Sequence, residues 1–370
     1  MPLVGDSSFM LLDEPGHLDG RRAILPAFHD KVVKKNIGLV ADVVRREVVS
    51  WPRDAPVALH PRLRALTLEV ILRKLFSIEP SSDKRFNTLR DGIIAMLSVT
   101  ASLVFPEPAL RHGPGRQIWK RFLCQRAEVD ELLYALIDER RLITGAQSDV
   151  LARLLAVPNS KSSTMSRRQI RDNVMSIILA GHETTASQLA WAFQLLAYNP
   201  AVLDRLTEEI DRGESDAYLM ATIQEVLRHR SVFLFTIPRA VARPVEIGGW
   251  SYRPPAHLLG CIYLLHHDPR FYADPQQFRP ERFLEAPPQP SVWLPWGGGR
   301  KRCVGLHLAM LEMKTVLQTV LTDMTVLPAA RRMERPLWRS VIVTPHAGCR
   351  VVLRTREGSK APIRGAGNTW

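Results

Sequence analysis

The residues best placed to do chemistry lie in one stretch, Trp296-Gly297-Gly298-Gly299-Arg300-Lys301-Arg302-Cys303-Val304-Gly305. Three consecutive glycines let the backbone lie against a flat or bulky group that side chains would exclude. Cys303 follows at the doorway of a predicted helix, where free amides and the helix dipole stabilise an anion. Arg300, Lys301 and Arg302 add positive charge, so the sulfur can persist as a thiolate, the form that binds metal. A phosphate-binding loop would need Lys-Ser or Lys-Thr after the glycines, and neither is there. The plainer alternative is a glycine-rich surface turn carrying an inert cysteine.

A second cluster, Ala180-Gly181-His182-Glu183-Thr184-Thr185, falls inside a helical run. Glycine in a helix interior costs about 1 kcal/mol relative to alanine. Gly181 therefore suits a place where something approaches the helix closely, or where the helix bends. An acid and two hydroxyls beside it can relay protons. His182 and Glu183 do not complete the His-Glu-x-x-His zinc pattern, because residue 186 is Ala. His182 is read as a helix-surface histidine and is assigned no role. Ile177, Ile178 and Leu179 crowd the preceding turn, which argues against a merely solvated face for Glu183 and Thr184. Glu225 and Arg228 form a third signal, since a separation of three puts both on one helical face. An exposed pair of this kind adds only a few tenths of a kcal/mol, and gains meaning in company.

These groups need elements to hold them. Ile118, Phe122, Val129, Leu132, Leu133, Leu136 and Ile137 recur at helical spacing and predict a helix over Arg116 to Leu142. A longer helix is predicted over Ser166 to Tyr198, with Ser166 and Gln169 as a capping box and Asn199-Pro200 as its stop. Pro200 opens the next helix, and Ser215 to Arg230 and Leu306 to Leu321 predict two more. After Pro238 the pattern changes. Val245 to Ile247, Gly248-Gly249 and Trp250 to Arg253 read as a hairpin. Strands are expected over His257 to Tyr263 and within Arg339 to Leu353, with an irregular segment between Asp268 and Pro295. A single domain is expected over residues 1–356, mainly α with small β-sheets, followed by a disordered tail over 357–370.

Bulk properties narrow the class. The 370 residues are 46% hydrophobic and 24% charged, ordinary for a globular chain. The first thirty residues hold no signal-like apolar core, and no run is long enough to cross a bilayer, so a cytoplasmic protein without a transmembrane segment is expected. The four cysteines show no zinc or disulfide spacing. With 50 Lys and Arg against 37 Asp and Glu, the net charge is +13. The basic residues are spread along the chain without a recognisable nucleic-acid module, so an acidic protein partner is expected rather than nucleic acid.

Read in order, Ala180 to Thr185, Glu225 with Arg228, Pro280-Glu281-Arg282-Phe283 and the loop ending in Cys303 resemble the cytochrome P-450 family. The likeness runs from about His17 to Leu353. It implies the cytochrome P-450 fold, haem b (iron protoporphyrin IX) as cofactor, and Cys303 as the proximal metal ligand, whose electron donation favours O–O cleavage. It implies that Glu183 and Thr184 are catalytic and deliver protons to iron-bound dioxygen, with Gly181 leaving room. Glu225, Arg228 and Arg282 would form a structural ion-pair triad. His17 and Arg21, four apart on an early helix, together with Arg239, would meet the haem propionates. Trp296, Gly297, Lys301 and Gly305 complete the cofactor-binding set. Ile177, Ile178, the Phe233 to Ile237 segment and the turn near Pro345-His346 would border the substrate.

The resemblance further implies a monooxygenase that hydroxylates or otherwise oxidises a lipophilic small molecule, with electrons from a ferredoxin or flavodoxin and its reductase. The alternatives are a peroxygenase or isomerase on the same fold, or a truncated, catalytically impaired haem-binding protein. Three departures stand out. Trp296 replaces the usual Phe. Lys301 replaces an Arg, giving a point charge without the bidentate fork. The chain also reaches its haem-contacting helix by His17, several dozen residues early, so a sheet edge is expected to lack its partner strands.

Overall fold

The structure, a computed structural model, describes residues 3–78, 83–101, 115–143, 149–156, 164–339 and 341–356. The tail expected over 357–370 lies outside them. Two compact units are present.

The first unit comprises Met1–Glu47, Arg62–Ala186 and Val304–Thr315. It holds α1 (Gly16–Ile24), a 3-10 turn (Leu25–Phe28), α2 (Asp30–Lys34), most of α3 (Ile37–Val49) and of α4 (Leu59–Phe76), α5 (Lys84–Ala101), α6 (Arg116–Leu142), α7 (Val150–Ala156) and the first part of α8 (Arg167–Ala197). Helix α6 has the bounds that its apolar spacing predicts, and Phe122, Val129, Leu133, Leu136 and Ile137 are buried along it. Helix α8 starts at the predicted capping box. The Ser166 N–H donates to Gln169 Oε1 at 2.9 Å, and the Gln169 N–H to Ser166 Oγ at 3.2 Å. The segment ahead of α1 is fastened to α8: the Ser7 and Phe9 amides donate to Asp172 Oδ2 and Asn173 Oδ1 at 3.0 and 2.9 Å. That attachment fixes where α1 begins.

The second unit comprises Val48–Pro61, Ser187–Cys303 and Val316–Trp370. A three-stranded antiparallel sheet runs in the order β1 (Pro56–Ala58), β9 (Arg350–Thr355), β6 (Met324–Pro328). Three two-stranded antiparallel pairs accompany it: β2 (Arg239–Ala240) with β5 (His257–Leu258), β3 (Val245–Ile247) with β4 (Trp250–Tyr252), and β7 (Pro336–Arg339) with β8 (Ile342–Pro345). The β3–β4 hairpin turns on Gly248 and Gly249 at φ of 59° and 80°, as two adjacent glycines allow. The helices are the rest of α8, α9 (Pro200–Arg212), α10 (Ala217–His229), α11 (Ile262–His266), α12 (Arg282–Glu285) and the end of α13 (Leu306–Asp323).

One expected element is corrected. The strand predicted over His257 to Tyr263 ends at Leu258, and the apolar run after it turns into α11. Apolar runs this short do not distinguish strand from helix; here the Ile262 N–H is taken by Leu234 O at 2.8 Å and starts a helical turn. The β2–β5 sheet is two-stranded among the described residues.

Candidate active site

The glycine-rich loop closes on itself in the second unit. The Cys303 N–H donates to Trp296 O at 2.9 Å, the Gly297 N–H to Leu294 O at 3.0 Å, and the Arg302 N–H to Gly299 O at 3.1 Å. Gly297 and Gly299 sit at φ of 65° and 62°, the left-handed region that a side chain would strain. Lys301 ends the 3-10 turn Gly299–Lys301, Trp296 and Gly297 are half-buried, and the Cys303 side chain is exposed. Gly305 opens α13, its carbonyl accepting from the Ala309 N–H at 2.9 Å. Arg239 is exposed on β2.

What holds the root of this loop is a buried charge core. Glu225 and Arg228 are both 0% exposed, and Arg228 meets the carboxylate with two bonds, Nε to Oε2 at 2.7 Å and Nη2 to Oε1 at 2.8 Å. Arg282 Nε adds a third at 3.1 Å, and the Arg279 N–H a fourth at 2.9 Å. The remaining Arg228 donors reach the carbonyls of His266, Pro275 and Gln277 at 2.7, 3.0 and 3.2 Å. A buried ion pair survives desolvation only when its donors and acceptors are satisfied in this way. Next to it, His266 Nε2 accepts the Leu294 N–H at 2.9 Å, and Trp293 Nε1 donates to Gln224 O at 3.3 Å. His266 Nδ1 therefore carries the proton, facing Ser231 Oγ at 3.0 Å and Arg228 O at 3.2 Å. Burial pushes His266 down to about 3, so it stays neutral.

In the first unit, α8 carries Gly181, Glu183 and Thr184. The Thr184 hydroxyl donates to Ala180 O at 2.7 Å, one turn back, a bond that commonly bends helices. Gly181 faces α4: a Cβ built there would lie 3.2 Å from Ile71 Cδ1 and Cγ1, so close helix packing is one requirement for glycine. Glu183 Oε2 lies 2.5 Å from Arg64 Nε of α4. The sequence gives no sign of Arg64, because nothing in local spacing links α4 to α8. The reading of His182 as a surface histidine is corrected: it is 2% exposed, its Nδ1 is 3.2 Å from Ile178 O, and burial pushes it down to about 4. Ile177 and Ile178 are also buried.

On α1, His17 and Arg21 lie four apart as predicted. His17 is 3% exposed, its Nδ1 is held by Phe9 O at 2.8 Å, and its ring stacks on Phe9. Its Nε2 is buried without a hydrogen-bond partner among the described residues. Such an atom is costly unless a ligand takes it up. In the second unit, Phe235 is exposed and meets the Trp338 ring at 6.2 Å, while Pro345 is buried and His346 exposed.

Comparison with known proteins carries this geometry to a family. The model of the cytochrome P-450 family matches residues 6–351. Cytochrome P-450 135B1 of Mycobacterium tuberculosis is 35% identical over 378 aligned positions, covering 99% of this chain and 79% of that protein. Cytochrome P-450 138 of the same organism is 34% identical over 356 positions, covering 96% and 80%. Among solved structures, the haem domain of cytochrome P450DA superposes with a TM-score of 0.82 at 24% identity, covering 96% of this chain and 81% of that one. The retinoic acid-bound cyanobacterial CYP120A1 superposes at 0.83 with 21% identity, covering 96% and 82%.

The residues present fit the group that this family carries. The loop offers an exposed thiol on a backbone stripped of side chains, and α1 offers a buried imidazole nitrogen with no hydrogen-bond partner among the described residues. Mainly helical, with small sheets and a glycine loop closing on one cysteine, the chain belongs to the cytochrome P-450 family of haem b monooxygenases.

Proposed function

We propose that Cys303 would hold this haem through its thiolate, and that the protein oxidises a lipophilic small molecule with electrons from a separate carrier. The observation that carries this reading is the exposed Cys303 at the end of a self-closed glycine loop, rooted in the buried Glu225–Arg228–Arg282 core. When bound, the haem supplies the iron at which dioxygen is activated. The chain supplies the rest. Trp296, Gly297 and Gly305 would border the ring, and His17, Arg21, Arg239 and Lys301 would meet its carboxylates. Gly181 admits dioxygen beside α8, and Glu183 and Thr184 hand on protons there, a service that general acids provide at about 10²–10⁴-fold in rate.

The electron donor is a ferredoxin or flavodoxin with its reductase. Arg300, Lys301 and Arg302 beside Cys303, in a chain of net charge +13, suit an acidic carrier. Salt that weakens binding of a ferredoxin is expected; affinity indifferent to salt rejects charge steering. Among the described residues no helix is long and apolar enough to cross a membrane.

The deciding measurement is the carbon monoxide difference spectrum of the reduced protein. A strongly red-shifted Soret band, lost in Cys303→Ala, is expected. The same band in Cys303→Ala refutes the ligand assignment. Turnover by the ferredoxin system, compared with peroxide alone, then separates a monooxygenase cycle from a peroxygenase or isomerase.

A further inference from the structure

We propose that Arg64 is a positioning residue for oxygen chemistry, holding the Glu183 carboxylate against α4 so that it hands on protons from one fixed place. The inference rests on the reading of Glu183 as a proton carrier. Three successive residues of α8 dock on three residues of one face of α4. Gly181 packs on Ile71, the His182 carbonyl accepts from the Thr67 hydroxyl at 2.8 Å, and Glu183 meets Arg64. Positions 64, 67 and 71 share a helical face, so α4 sets the place of the carboxylate.

The pair is sheltered, with side chains only 22% and 19% exposed, and such a pair is screened far less than one at the surface. The Glu183 oxygen lies within ion-pair distance of Arg64 Nε, so attraction between the two charges joins them. His182 is also near, its Nε2 3.6 Å from the same oxygen. Its burial keeps it neutral, so of these two neighbours Arg64 is the one that carries positive charge.

The consequence concerns how electrons are spent. Productive turnover combines dioxygen, two electrons and two protons with the substrate, giving one oxidised product and one water. If the protons arrive at the wrong place, the same two electrons and two protons leave with dioxygen as hydrogen peroxide. The electrons come from the external carrier in both cases.

The test compares Arg64→Met, Arg64→Lys, Glu183→Gln and Thr67→Val in the haem-loaded protein with its electron donors. In Arg64→Met the ratio of peroxide to product is expected to rise about tenfold, less than the 10²–10⁴ associated with a whole general acid. Haem content and the carbon monoxide spectrum stay normal, and Arg64→Lys restores most of the product. The infrared carboxylate band that disappears in Glu183→Gln is expected to shift in Arg64→Met. Thr67→Val, which loosens the helices but keeps the charge, lowers the melting midpoint and leaves that band and the peroxide ratio unmoved.

An unshifted band and a normal peroxide ratio in Arg64→Met overturn the role of Arg64. If Glu183→Gln is uncoupled in that case, only Arg64 loses its part; if Glu183→Gln is also normal, the proton-carrier reading falls with it. Equal uncoupling in Thr67→Val and Arg64→Met assigns the effect to helix docking and likewise overturns the proposal. Should Arg64→Met fail to load haem, Arg64→Gln and Arg64→Lys provide the same comparison.

Discussion

Acidification should loosen the root of the Cys303 loop through one neutral histidine. His266 is 0% exposed, accepts the Leu294 N–H at 2.9 Å and is held by burial at about 3. In the unfolded chain a histidine titrates near 6.5. Above that value both states are neutral and the group makes no pH-dependent difference. Below it the unfolded state takes a proton that the folded state refuses until about pH 3, so stability is lost as pH falls through that window. The limiting slope is about 1.4 kcal/mol per pH unit, and between pH 7 and pH 5 the loss from His266 alone is about 2 kcal/mol.

The assay is the free energy of urea unfolding of the haem-loaded protein at both pH values, in wild type and His266→Gln. Glutamine does not titrate, and the buried His182 and His229 are common to both proteins and cancel. At pH 7 the variant is expected to be weaker by about 1–3 kcal/mol, the cost of a disturbed buried hydrogen bond. By pH 5 the gap should have narrowed by about 2 kcal/mol. Parallel pH curves for the two proteins would refute the reasoning, as would a His266 resonance titrating near its ordinary value.

Three further outcomes follow from buried groups. Arg228→Met leaves the fully buried Glu225 short of its main partner and should cost about 3–5 kcal/mol, read as a lowered melting midpoint and poor haem loading; an unchanged midpoint contradicts it. Glu312 on α13 is 1% exposed, burial raises its carboxyl well above the usual value, and its Oε2 has no hydrogen-bond partner among the described residues. The folded state therefore keeps a proton that the unfolded chain releases as pH rises, so the advantage of Glu312→Gln in melting should grow from pH 5 to pH 8; a flat difference rejects this. Gly181→Ala gains about 1 kcal/mol of helix propensity but meets Ile71 at 3.2 Å. It should be better tolerated in an Ile71→Val background, by roughly 1 kcal/mol in a double-mutant cycle, and additive effects would exclude the contact.

Much of the local structure was legible in the residues alone. The apolar spacing of Arg116 to Leu142, the Ser166/Gln169 capping box and the Gly248-Gly249 turn each rest on interactions within a few positions, and each appears where its spacing places it. The glycine loop belongs to the same class, since its hydrogen bonds run between residues 294 and 303. The family, too, could be read from the order of its motifs. The strand expected over His257 to Tyr263 failed because a short apolar run obeys either period, and its tertiary partner decides.

Only tertiary structure decided the environment of the reactive groups. His182, taken for a surface residue, is buried because α4 lies against it, with Thr67 bonded to its carbonyl across 115 positions. Arg282 reaches Glu225 across 57, and His266 reaches Leu294 across 28. Periodicity reports which residues share a face of one element, while burial, and with it the charge a histidine or carboxylate keeps, depends on which distant element covers that face. The candidate site was thus written locally, in a cysteine after three glycines and an acid beside a threonine. Its tuning came from partners that no spacing in the sequence connects.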